Sequence, residues 1–158
     1  MDKKQDIYIE IASDPKLLKS IRGLVGGYLE NQGVSPDRAD DVVLAVDEAC
    51  ANAIRHSYGN RIDGKLTLSF HANDRELEIV LNDEGIPAPA NRVRRKEAVL
   101  PDKEHLTPGG LGVQLMYQVF DEVVFSPGAV RGNRVTMRLK RAAGNANLPI
   151  GRVAGRQG

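Results

Sequence analysis

Apolar and polar positions alternate near the start of the chain. Ile7, Ile9 and Ile11 are separated by Tyr8 and Glu10, a two-residue period that predicts a half-buried strand. The period then lengthens. Leu17, Leu18, Ile21, Leu24, Val25, Tyr28 and Leu29 follow helical spacing, with Pro15 suited to the first turn and Gly33 to the stop. Gly26 and Gly27 weaken this helix by about 1 kcal/mol each relative to alanine. A second helix is predicted from Ser35-Pro36, an N-cap followed by proline at the first helical position, to about Ser57. Ala39, Val42, Val43, Val46, Ala49, Cys50 and Ala53 form its apolar stripe, and Gly59-Asn60 ends it.

Alternation returns at Leu66, Leu68, Phe70 and Ala72, and again at Leu77, Ile79 and Leu81, with Asn73-Asp74 between them as a hairpin turn. From Glu84 to Pro108 regular periodicity fails, broken by Pro87, Pro89, Pro101 and Pro108 and charged by Arg92, Arg94, Arg95 and Lys96. An irregular stretch of this length suggests a lid over a site or a disordered segment. A short helix follows, carried by Val113, Leu115, Met116, Val119 and Phe120. Strands are then predicted at Val123 to Phe125 and around Val135, Met137 and Leu139. Beyond Ala142 large apolar residues are few, which reads as a mobile tail over 142–158. Runs of helices and strands in this order predict a single α+β domain over 1–141, a two-layer sandwich with helices on one face of a mixed, mostly antiparallel sheet.

Bulk properties narrow the function classes. The 158 residues suit one domain with its own core, and the net charge of +1 supplies no global field toward nucleic acid or an anionic membrane. The basic residues after Glu122, among them Arg131, Arg134, Arg138, Lys140 and Arg141, have no interleaved aromatics and no groove-entering helix. They read as a solvated strand face and tail, or as a surface for an acidic protein partner. The lone Cys50 cannot form an internal disulfide and reads as a small buried hydrophobe. With no signal-length or membrane-length apolar run, a cytoplasmic protein is expected.

Three stretches carry candidate chemistry. In Asp47-Glu48-Ala-Cys-Ala-Asn52-Ala-Ile-Arg-His56, the residues Glu48, Asn52 and His56 stand four apart and line one side of a helix. An amide oxygen suits Mg²⁺, and a neighbouring carboxylate can take a proton from an attacking hydroxyl. The same pattern fits a solvated face with Glu48 paired to Arg55, and His56 also suits a helix end. In Asn82-Asp83-Glu84-Gly85-Ile86-Pro87, a strand-end carboxylate can accept a hydrogen bond from an adenine amino group while Gly85 admits a flat base. An ordinary Asx turn has the same composition. In Thr107-Pro108-Gly109-Gly110-Leu111-Gly112, glycines open a helix whose N–H groups and dipole favour phosphate. A flexible helix entry reads likewise, and neither a dinucleotide fingerprint nor a Walker A motif is present. Conjunction gives these stretches weight, since metal, base, cover and phosphate elements follow in order.

That order resembles the N, G1 and G2 boxes of the GHKL ATPase superfamily, which includes gyrase, Hsp90, histidine kinases and MutL. Over residues 7 to 140 the chain looks most like bacterial anti-sigma factor serine kinases of the RsbW and SpoIIAB type. VDEACANAIRHSY matches their N box, GGLGVQLMYQVFDEVVF resembles their G2 region, and the Asp-x-Gly-x-Pro turn has their single G1 glycine. The resemblance implies a GHKL (Bergerat) sandwich in which Asn52 holds Mg²⁺, Glu48 is the general base and His56 is secondary. It also implies that Asp83 and Gly85 receive adenine, and that Gly109, Gly110, Leu111 and Gly112, helped by Thr107, wrap the phosphates of ATP.

The implied activity is phosphorylation of a serine on a STAS-type anti-anti-sigma protein, together with sequestration of a sigma factor, in a homodimer with Arg22 near the partner surface. A non-catalytic, ATP-gated switch that activates a phosphatase or scaffold is the other implied class. Three features depart from the pattern. The Arg-Val-Arg-Arg-Lys run maps onto no family motif. The chain lacks a dimerising helix with a phosphoacceptor histidine. Asn133 follows Gly132 where many superfamily members place threonine.

Overall fold

Strand β1 (Ile7–Ala12) leads through a 3-10 turn (Pro15–Leu17) into helix α1 (Leu18–Asn31). The Asp14 carboxylate accepts the Lys16 N–H at 3.0 Å and starts the turn. Helix α2 (Pro36–Asn52) has proline in its first turn. Its entry is held by the Ser35 carbonyl, which accepts the Ala39 N–H at 2.8 Å, and not by the Ser35 hydroxyl. The helix predicted to reach Ser57 changes register first: Ala53–Ser57 form a π-helical turn. Strands β2 (Lys65–Ala72) and β3 (Glu76–Asp83) make the expected hairpin. Helix α3 (Gly110–Val119) and strands β4 (Glu122–Pro127) and β5 (Asn133–Lys140) complete the order. This computed structural model describes residues 4–89 and 110–141. Most of the expected lid, and all of the tail beyond Arg141, lie outside those residues.

The sheet order is β1-β2-β3-β5-β4. The sheet was expected to be mixed but mostly antiparallel, and all four pairings among the described residues are antiparallel. The helices cover one face. Leu66, Leu68 and Phe70 from β2, Leu77, Ile79 and Leu81 from β3, and Met137 and Leu139 from β5 meet Val25 and Leu29 of α1 and Val42, Val46 and Cys50 of α2. Each such side chain stabilises by about 1.5–3 kcal/mol when fully buried. Phe70 and Tyr28 add a tilted ring contact at 5.0 Å between centroids. The opposite face is polar, and a ladder of two ion pairs crosses it at 2.7 Å each, from Glu78 through Arg138 to Glu122. Pairing of β3 with β5 places Asp83 directly opposite Asn133, and this register organises the site.

Candidate functional site

The floor of the site is the end of β3. Asp83 is buried, with only 8% of its surface exposed, so its carboxylate requires hydrogen-bond donors. It has three: the Ser57 hydroxyl at 2.9 Å, the Gly85 N–H at 3.0 Å and the Asn133 side-chain amide at 3.1 Å. The Asn133 amide nitrogen also reaches the Ser57 hydroxyl at 3.1 Å and the Ile86 carbonyl at 2.9 Å, while its oxygen accepts the Ala88 N–H at 2.6 Å. One asparagine on β5 therefore ties together the strand-end carboxylate, the turn after it and the serine at the end of the helix.

Backbone contacts close this corner. The Ser57 carbonyl accepts the Ile86 N–H at 2.8 Å, and the Gly85 carbonyl accepts the Gly132 N–H at 2.6 Å. A β-carbon on Gly85 would overlap the Ser57 carbonyl, so the position excludes every other residue without backbone movement. The Tyr58 hydroxyl braces the corner from behind, accepting the Glu84 N–H at 2.7 Å and the Lys65 N–H at 3.2 Å.

The wall is α2. Glu48 and Asn52 are one turn apart, and Arg55 ties them together. Its Nη2 donates to Asn52 Oδ1 at 2.7 Å and lies 3.9 Å from Glu48 Oε2. The two oxygens therefore face one region. α3 packs against this wall so closely that a β-carbon on Gly112 would overlap the Glu48 carboxylate. The first turn of α3, beginning at Gly110 and including Leu111, has N–H groups with no partner inside the helix, and Gly112 sets that turn against Glu48.

The structure sorts the expected residues. Glu48, Asn52 and Gly112 share one region, and Asp83 and Gly85 share another. Ser57 and Arg55 link the two through the π-helical turn. That turn interrupts the α-helical line drawn through Glu48, Asn52 and His56: His56 is exposed, and Ser57 points into the Asp83 cluster instead. Thr107 and Gly109 lie outside the described residues. Arg22 is half exposed on α1 and pairs with Asp47 of α2 at 2.9 Å. Ser57 carried no periodic signal because the widened turn reassigns its direction. Asn133 was visible only as a departure.

The donor set fits a magnesium nucleotide. Asn52 Oδ1 is a hard oxygen of the kind Mg²⁺ takes, and it already holds a cation, Arg55 Nη2, at 2.7 Å, with Glu48 Oε2 3.9 Å from the same nitrogen. No group of three or more His, Cys, Asp or Glu side chains could cage a metal among the described residues. Mg²⁺ keeps several waters and takes phosphate oxygens, so few protein ligands would serve it. Asp83 already collects N–H and O–H donors, the chemistry an adenine amino group brings.

Comparison with known proteins gives the family and the fold. Residues 11–139 match the family described as histidine kinase-like ATPase domain, and the chain belongs to that family. It is 28% identical over 126 residues to the serine-protein kinase RsbW of Bacillus cereus (strain ATCC 10987 / NRS 248), covering 78% of each protein. It is also 28% identical over 120 residues to the serine-protein kinase RsbW of Bacillus subtilis (strain 168), covering 74% of this chain and 75% of the relative.

Among solved structures, the fold is similar to a chain of the SiaB-SiaC complex from Pseudomonas aeruginosa, with a TM-score of 0.66 at 18% identity over 87% of this chain and 90% of the other. It is also similar to the structure of the RsbU and RsbW domains of Rv1364c from Mycobacterium tuberculosis, with a TM-score of 0.57 at 17% identity, covering 87% of this chain and 33% of that one. These likenesses establish the GHKL-type α+β fold. No helix among the described residues is long and apolar enough to cross a membrane.

Proposed function

We propose that this protein is an ATP-dependent serine kinase that phosphorylates a STAS-type anti-anti-sigma protein and, in alternation, holds a sigma factor. The observation that carries the reading is the close packing of the first turn of α3 on Glu48, one helical turn from Asn52, with a buried Asp83 fed only by donors joined to them through the turn Ala53–Ser57. The similarity to proteins named serine-protein kinase RsbW supports the same activity.

In this reading Asp83 accepts the adenine amino hydrogen, and Gly85 lets the base lie against the backbone. The N–H groups at Gly110, Leu111 and Gly112 receive phosphate oxygens, and Thr107 and Gly109, which precede them in the chain, assist. Asn52 Oδ1 supplies a ligand for Mg²⁺, which when bound offsets phosphate charge. Glu48 takes the proton from the partner's serine hydroxyl, a transfer worth roughly 10²–10⁴-fold in rate. His56, exposed, has at most an outer role. Arg22 belongs to the partner surface, and the protein works in the cytoplasm as a homodimer.

The test is transfer of label from γ-labelled ATP to a STAS partner. Label should appear on a partner serine with the wild-type protein. Glu48→Gln should lose transfer by roughly 10²-fold or more while keeping ATP affinity within a few-fold. Nucleotide binding without transfer by the wild-type protein would instead assign a non-catalytic, ATP-gated switch.

A further inference from the structure

Arg55 stands on the two side chains that the nucleotide reading assigns to the metal and the proton. Its Nη2 is 2.7 Å from Asn52 Oδ1 and 3.9 Å from Glu48 Oε2. Its Nε is buried with no hydrogen-bond partner among the described residues. An arginine acting only as a helix brace would spend its donors on protein acceptors, because a buried N–H left unpaired is destabilising. Among the described residues Arg55 makes one hydrogen bond and one long ion pair, which leaves much of its five-donor fork unused there.

The side chain is 37% exposed, so part of it faces solvent and has room to turn. Its position comes from the register change after Asn52, where the helix widens into the π-helical turn. The guanidinium can leave this oxygen only by moving. Two cations on one amide oxygen repel each other, and a divalent ion arriving at Asn52 must displace it.

We propose that Arg55 is a tethered competitor of the divalent cation at Asn52 Oδ1, a positioning residue that sets the magnesium concentration at which nucleotide is bound. The proposal rests on the nucleotide reading above. When a magnesium nucleotide enters, the guanidinium moves off Asn52, and phosphate oxygens are the acceptors its unused donors fit, including the orphaned Nε–H.

Calorimetric titration of the full chain with ATP across a series of Mg²⁺ concentrations tests this. Arg55→Met, which removes the charge and keeps the length, should reach half-maximal ATP binding at a Mg²⁺ concentration about tenfold below wild type, while Arg55→Lys should stay within about twofold. Should the methionine variant fail to fold by circular dichroism, Arg55→Gln gives the same comparison. An unchanged magnesium midpoint in the uncharged variant overturns the proposal. So does a uniform loss of ATP affinity at every magnesium concentration, which would make Arg55 a phosphate ligand alone. Absence of any ATP heat from the wild-type protein would remove the nucleotide reading itself. Normal wild-type binding with unmoved midpoints removes only the role given to Arg55.

Discussion

Asp83 shows how one residue can be stable in the fold and still poised for a ligand. Its carboxylate is buried, yet the Ser57 hydroxyl, the Gly85 N–H and the Asn133 amide satisfy it. The Asn133 amide nitrogen has two hydrogens and lies within reach of the Asp83 carboxylate, the Ser57 hydroxyl and the Ile86 carbonyl. It can therefore surrender one acceptor to an incoming amino group without being left unpaired. Asp83→Asn replaces an acceptor-only group with one that also carries N–H donors, opposing both Asn133 and an adenine amino group. This variant should lower ATP affinity by roughly tenfold or more, equivalent to about 1.4 kcal/mol, in a calorimetric titration. Wild-type affinity would mean that adenine is not read at this carboxylate.

At the scale of elements, the π-helical turn Ala53–Ser57 does the joining. A regular helix would have continued the α2 face. The widened turn instead delivers Ser57 to the end of β3 and sets Tyr58 behind it. The Tyr58 hydroxyl connects this turn to the start of β2 and the residue after β3, accepting from Lys65 and Glu84 and donating to the Lys65 carbonyl. Tyr58→Phe keeps the ring, which packs over Gly64, and removes only that hub. The expected cost is about 1 kcal/mol in a urea denaturation, since two partly buried N–H groups and a carbonyl lose their partner. Amide exchange at Glu84 should quicken along with it. A loss of stability without faster exchange there would place the hydroxyl's role elsewhere.

On the scale of the whole molecule, the helix layer on the sheet makes the core, and the core decides the alkaline limit. Burial, reinforced by Asp47, pushes the Cys50 thiol up to about 12 from an ordinary 9.0. Tyr28 is raised as well, by burial and by its hydrogen bond to Asp6. Both groups are neutral in the fold, so the unfolded chain releases these protons first. Their stabilisation is complete below the ordinary values and drains as pH rises. For Cys50 the window runs from about 9 to about 12, with a slope of up to about 1.4 kcal/mol per pH unit. Denaturation midpoints should therefore fall above about pH 9, and Cys50→Ala should flatten part of that fall. An equally steep fall in the alanine variant would assign the alkaline loss to other groups.

How much of this was legible in advance depends on the range of the interaction. Alternation at Leu66, Leu68 and Phe70 and helical spacing at Val42, Val46 and Ala49 reflect local geometry, in which each residue's direction follows from its neighbours. The layer arrangement and most elements could thus be read from the chain. Glu48, Asn52 and Asp83 stood out because their chemistry is written in residue type.

Ser57 did not stand out, and Asn133 did so only as a departure from the family pattern. They are 76 residues apart, and their meeting at 3.1 Å depends on a widened helical turn and on the β3–β5 register, neither of which has a local signature. Arg55 could be suspected as a partner of Glu48 from its spacing, but its stronger bond to Asn52 and its orphaned Nε needed the folded backbone. The sequence alone determined which elements form and which side chains are chemically able. Packing alone decided which of them meet, because convergence of distant segments is set by the long-range contacts of the sheet and core and not by the order of neighbours along the chain.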